Sequence, residues 1–132
     1  MEEAGLDAIR VGALAARLQG AAFEATRIEW LIRDTPRNRE KLARVAAALA
    51  CPRVPLLGLR TMSLVGAPHP IDVTFERLPG CTSFAALRAR AARVAVGGGA
   101  ARVASLADLI DACAASGLHE QLSLLRRLAG MI

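Results

Sequence analysis

The sequence predicts an α+β fold, a mixed β-sheet with helices packed on it, as a single domain spanning residues 1–132. Three observations predict it. Stretches rich in β-type residues alternate with segments whose apolar residues recur at the 3.6-residue helical period. Twice, two β-type stretches follow one another with only a turn between them, which places antiparallel neighbours in the sheet. The length, 132 residues, suits one ordinary hydrophobic core.

Taken in order, Ala8-Ile9-Arg10-Val11 reads as a first strand, and Gly12-Ala13 leads into a short helix over residues 14–19 that Gly20 stops. Residues 26–32 form the second strand. Thr35 then caps a helix with Pro36 at its first position, running to about residue 50 with Leu42, Val45, Ala46 and Leu49 inward. Cys51-Pro52-Arg53-Val54-Pro55 ends that helix and crosses back. Residues 59–65 and 71–75 make a hairpin around Gly66-Ala67-Pro68-His69-Pro70. Thr82 or Ser83 caps a helix with Phe84 and Leu87 inward. Residues 92–96 and 100–104 flank Gly97-Gly98-Gly99 as a second hairpin. Ser105 caps a helix carrying Leu106, Leu109, Ile110 and Cys113 on one face, and Gly117 stops it. A last amphipathic helix is built on Leu118, Leu122, Leu125 and Leu128.

Composition narrows the partners. Hydrophobic residues make up 54% of the chain and mean hydropathy is +0.36, much of it alanine. No apolar run reaches the roughly 18–20 residues of a bilayer span, and Met1-Glu2-Glu3 is acidic where a signal peptide is basic. A cytoplasmic protein with no membrane contact is expected. The net charge of +5 permits an anionic partner, but the basic residues are scattered, and Trp30 with three phenylalanines and no tyrosine gives no platform for stacking bases. Sequence-specific nucleic-acid reading is not expected. Cys51, Cys81 and Cys113 stand far apart, without a CxxC pair or a nearby histidine, so reduced thiols are expected and a zinc site is not.

Four places could carry chemistry. In Thr26-Arg27-Ile28-Glu29, residues 27 and 29 leave the same strand face. An acidic pair at that spacing is a compact holder of a divalent metal, and here one of the two positions is a cation. Asp72 lies between Ile71 and Val73, where a carboxylate in a core strand needs a partner or a metal, unless it caps a turn at the strand's end. Gly12-Ala13, between strand and helix, lets backbone amides approach an anion, or is a plain tight turn. The triple glycine lacks a following GK[ST] and is flanked by strands, so it reads as a turn and not as a phosphate loop.

In this order the residues resemble the small bacterial nucleotidyltransferases of the DNA-polymerase-β-like superfamily. The resemblance is carried by Val11-Gly12-Ala13, Gly20, the helix after Pro36, Ile71-Asp72-Val73, the 94–103 hairpin and Ser105-Leu106-Ala107-Asp108-Leu109-Ile110, from about residue 3 to residue 128. It implies a site in which two carboxylates on one strand and a third on a neighbouring strand hold two Mg²⁺ ions, while the glycine turn holds the nucleotide's phosphates. This chain departs from that pattern. The second glycine is Ala13, the first metal-binding aspartate is Arg27, the second is Glu29, and only Asp72 is intact. Cys113, Leu118 and Gln121 fall where the family commonly has a lysine and an arginine–aspartate pair.

The resemblance therefore implies a nucleotidyltransferase-like protein that has lost catalysis and acts as a binding or regulatory module. Arg27 would supply the charge of the missing metal in a Glu29–Arg27–Asp72 network. No cofactor is expected. The alternatives are a weak Mg²⁺-dependent transferase with the metal on Glu29 and Asp72, nucleotide held at Gly12 and Ala13 without turnover, and an unrelated α+β interaction domain. A parallel pairing of the first two strands is the expected mark separating the first reading from the last. The family's leading helix is mostly missing, which uncovers apolar surface, so a homodimer or a complex with a partner protein is expected.

Overall fold

The structure, a computed structural model, describes residues 7–21, 28–48, 53–55, 61–64, 71–78, 80, 83–96 and 99–130. These form β1 (Ala8–Val11), α1 (Gly12–Leu18), β2 (Ile28–Ile32), α2 (Pro36–Ala48), β3 (Arg53–Pro55), β4 (Thr61–Leu64), β5 (Ile71–Phe75), α3 (Phe84–Arg90), β6 (Ala92–Val96), β7 (Gly99–Val103), α4 (Leu106–Ser116) and α5 (His119–Leu128). The strands make one sheet in the order β3-β4-β5-β2-β1-β7-β6. The β2–β5 and β1–β7 contacts are parallel and the others antiparallel, so the sheet is mixed as expected.

Two expectations are corrected. The first two strands pair antiparallel, with Val11 opposite Glu29, and the parallel partner of β2 is β5. α1 has seven residues and packs on β1 and β2, and the antiparallel register sets the start of β2 beside the end of β1. The chain thus re-enters the sheet at the end where β1 left it. The second correction is a seventh strand: residues 53–55, read from the sequence as a crossing, pair antiparallel with β4 as an edge strand. Three residues ending in a proline carry almost no β signal, and an edge is where a residue without an N–H is tolerated.

Alternation in the strands divides the core into two layers. Ile9, Val11 and Leu31 face one side, where they meet Ala15 and Ala16 of α1, Phe84 and Leu87 of α3, Leu109 and Ile110 of α4, and Leu122 and Leu125 of α5. Trp30, Ile32, Ile71, Val73 and Phe75 face the other side and meet Leu42 and Ala46 of α2. Each large side chain removed from water there contributes about 1.5–3 kcal/mol. The expected inward residues of α2, α3 and α4 are borne out, with Val45, Leu106 and Cys113 packed at the margins; Leu49 lies outside the described residues. The expected face of α5 is half right. Leu122 and Leu125 are buried, whereas Leu118 and Leu128 are exposed, because one caps the helix and the other ends it, beyond the reach of the core.

Caps hold the helix ends as the sequence indicates. Thr35 Oγ1 accepts from the Asn38 N–H at 3.1 Å, Ser83 Oγ from the Ala86 N–H at 3.4 Å, and Ser105 Oγ from the Asp108 N–H at 3.2 Å. Gly117 closes α4 in the left-handed conformation. Where β2 and β5 end, Glu76 accepts from the Asp34 N–H at 2.9 Å, and Arg39 pairs with Asp34 while lying over the Phe75 ring. No helix among the described residues is long and apolar enough to cross a membrane.

Asp108, marked by the Ser105-Leu106-Ala107-Asp108 pattern, does more than lie in a capped turn. Its carboxylate is buried, accepts from Ser105 Oγ at 3.0 Å, and takes a two-pronged hydrogen bond from Arg90 at 2.8 and 3.0 Å, so it ties the end of α3 to the start of α4. Arg90 is half exposed and can turn to water if its partner is lost, which keeps the cost below that of a fully buried pair. Asp108→Ala is expected to destabilise the fold by about 2 kcal/mol, read in denaturant unfolding followed by the fluorescence of the buried Trp30, with the helical signal retained in buffer.

Candidate functional site

The candidate site lies in one row across the middle of the sheet. Val11 ends β1, Glu29 stands opposite it in β2, Asp72 opposite Glu29 in β5, and Ser63 opposite Asp72 in β4. Register partners on neighbouring strands, about 4.8 Å apart, present their side chains on one face. This is the face that carries α1, because Val11 and Leu31 belong to the layer beneath that helix. The two carboxylates expected from the sequence are thus brought together. Ser63, which the sequence reading passed over, is buried beside them; a serine alternating with apolar residues in a strand was the signal for it.

The turn from β1 into α1 meets the same row. Val11 is extended, and Gly12 then takes a φ of 73°, which only glycine adopts without strain. The absence of a side chain is used a second time. A Cβ built on Gly12 would overlap Oε2 and Cδ of Glu29, so the Glu29 carboxylate lies directly over the turn that the resemblance assigns to a nucleotide's phosphates. The N-cap residue of α1, Val11, has no polar side chain to cap the helix. Ala13, the other residue of that turn, packs against the hydrophobic layer. Arg27, and with it the expected Glu29–Arg27–Asp72 network, lies outside the described residues.

On this same face, α4 brings Cys113 to the site. Its thiol donates to Gln121 Oε1 of α5 at 3.9 Å, and it is held above the ordinary thiol range first by burial and second by the negative charge of Glu29. Cys113 therefore stands beside Glu29, where the resemblance places a lysine, and brings no positive charge. The donor set does not fit a two-metal centre. Mg²⁺ requires near-octahedral oxygen ligands, a protonated thiol is not one, and residue 27 is an arginine. Among the described residues no group of three or more His, Cys, Asp and Glu side chains is placed to share a metal.

Comparison with solved structures identifies the architecture. The chain is similar to a Thermotoga maritima protein provisionally assigned as a nucleotidyltransferase, with a TM-score of 0.66 and 17% identity over 96% of this chain and 84% of that one. It is also similar to the aminoglycoside nucleotidyltransferase ANT(2″)-Ia, solved in complex with adenylyl-2″-tobramycin, with a TM-score of 0.62 and 12% identity over 98% of this chain and 90% of that one. No family model matches the chain, and no curated protein matches it in sequence. The chain has the nucleotidyltransferase-like α+β fold. An antiparallel first pair of strands is therefore compatible with that fold, and the mark expected to separate it from an unrelated domain was misplaced.

Two measurements test this geometry. Gly12→Ala is expected to cost more than about 2 kcal/mol, from a left-handed backbone together with the collision with Glu29, and about 1 kcal/mol in a Glu29→Ala background, where the backbone contribution remains. Equal costs in the two backgrounds would contradict the contact. In a variant retaining Cys113 alone, alkylation by iodoacetamide at mildly alkaline pH is expected to be slower than for a free thiol, and Glu29→Gln is expected to speed it. The linked stability has a definite sign. A thiol that keeps its proton longer when folded stabilises the fold below the ordinary thiol range, and this contribution is lost as pH rises through its raised folded value.

Proposed function

We propose that this chain is a nucleotidyltransferase-fold protein that has lost catalysis and works as a binding or regulatory module, as a homodimer or with a partner protein. The observation that carries the reading is the Glu29 carboxylate seated on Gly12. A triphosphate approaching that turn meets a fixed anion where the ancestral site would offer only backbone amides. At contact range in a partly dry site, like charges repel by several kcal/mol, and neither Cys113 nor Ala13 supplies an opposing cation. Arg27 at the first metal-ligand position disfavours the metal separately, because a guanidinium repels Mg²⁺.

A second reading, a weak one-metal transferase, is favoured by the direct register of Glu29 with Asp72, which leaves two carboxylates on one face. On that reading the pair would hold a single Mg²⁺, whose part would be to neutralise triphosphate charge. The fit remains incomplete while Glu29 is turned onto Gly12.

Thermal unfolding with ATP, GTP, CTP and UTP, each with and without Mg²⁺, separates the two. The non-catalytic reading expects no metal-dependent rise in Tm, whereas a rise of several degrees that Asp72→Asn abolishes would establish the transferase reading. Restoring an acid with Arg27→Asp is expected to create a Mg²⁺-dependent stabilisation that the natural sequence lacks.

A further inference from the structure

We propose that the outer flank of α5 is the surface through which two copies of this chain pair, with their α5 helices antiparallel about a two-fold axis near Leu124. Among the described residues the exposed large hydrophobics are Leu118, Leu124 and Leu128, and all three belong to this helix or its cap. Leu122 and Leu125 hold α5 to the core and Leu128 lies at the edge beside Gly20, so the flank bearing Glu120, Leu124 and Arg127 is turned outward. At 100° per residue, Glu120, Leu124, Arg127 and Leu128 fall within an arc of about 100°. An apolar centre with charge at either end is the pattern of a helix face that covers another.

The arrangement of charge selects the occupant. Glu120 lies in the first turn of α5, and Arg126 and Arg127 in the last. Among the described residues, Glu120 and Arg127 form no salt bridge, and both are exposed. Glu120 is four residues, about 6 Å, on one side of Leu124, and Arg127 is three residues, about 4.5 Å, on the other. A two-fold axis at Leu124 therefore sets Glu120 against Arg127 of the partner subunit, and the same pair forms again by symmetry. The mismatch of about 1.5 Å is within the reach of an arginine side chain. Self-complementarity of this kind is what an isologous interface requires, and an unrelated partner would not require it. Opposed helix dipoles favour the same orientation, whereas a parallel pairing would set acid on acid and base on base.

The inference deepens the dimer part of the proposed function and does not depend on the state of the Glu29 site. The flank is smaller than the ~800 Å² per partner of a standard stable interface, so the expected dimer is weak, with a Kd in the micromolar range.

Sedimentation equilibrium of the full chain across micromolar concentrations is the test. The natural chain is expected to show a monomer–dimer equilibrium, and Leu124→Glu to be monomeric with an unchanged circular dichroism spectrum. Glu120→Arg and Arg127→Glu are each expected to weaken the dimer about tenfold, the combined effect of two exposed ion pairs, and the double exchange to restore it. A monomeric natural chain would overturn both this surface and the dimer reading. A dimer that survives Leu124→Glu would overturn the surface and leave the dimer reading standing. Charge reversals without mutual rescue would overturn the antiparallel register.

Discussion

β2 lies at the centre of the sheet, paired antiparallel with β1 on one edge and parallel with β5 on the other, and the remainder of the molecule depends on that double pairing. The antiparallel edge brings the end of β1 and its turn into α1 against Glu29. The parallel edge brings Asp72 beside the same residue. Because side chains alternate along a strand, the pairing that sends Glu29 and Leu31 to one face sends Trp30 and Ile32 to the other, where α2 covers them. A register slip of one residue in β2 would bury the carboxylate beneath α2 and exchange Leu31 with Trp30 and Ile32 between the two layers. The hydrophobic layers thus hold the site in register, and the site adds little to the stability of the layers.

Two carboxylates side by side on a partly buried sheet face need a compensating charge. A divalent metal can supply it; here the sequence has an arginine two residues before Glu29. The helices that close over this face bring Cys113, a thiol bonded to the Gln121 amide, beside Glu29. Glu29 has folded onto the glycine of the neighbouring turn, a position open to it because residue 12 has no side chain. Glutamate's additional methylene, relative to aspartate, provides the necessary reach. The glycine that the resemblance assigns to a phosphate admits, in this chain, the protein's own carboxylate.

The helical layer is organised differently from the sheet. Its ends are fastened by short polar contacts: the three hydroxyl caps, and Asp108 joining Arg90 to Ser105. Asp7 accepts from both Arg88 and Arg102 and ties the start of β1 to α3 and β7. These pairs are partly exposed and contribute little singly, so their main effect is on alignment. α5 differs, held by two buried leucines and by the Cys113–Gln121 contact, with Leu124 exposed on its outer flank.

Much of the architecture was legible in the sequence. Strands betrayed by alternation, helices by the 3.6-residue period, and ends by Ser83, Ser105 and Gly117 are local signals, decided by side-chain geometry and backbone hydrogen bonding within a few residues. The replacement of a carboxylate by Arg27 could also be read directly, since it depends on residue identity and order alone. What only the tertiary structure decided is whatever depends on partners distant along the chain. Three residues at 53–55 became a strand because β4 offered an edge. β2 pairs antiparallel with β1 and parallel with β5, a choice made by contacts between segments far apart in sequence. Leu118 and Leu128 fell outside the core although their spacing suited it, because a periodic pattern says which face of a helix is apolar but not how far the neighbouring surface extends. The seating of Glu29 on Gly12 belongs to the same class: 17 residues separate them in sequence, and only the pairing of two strands brings a side chain over a backbone that leaves room for it.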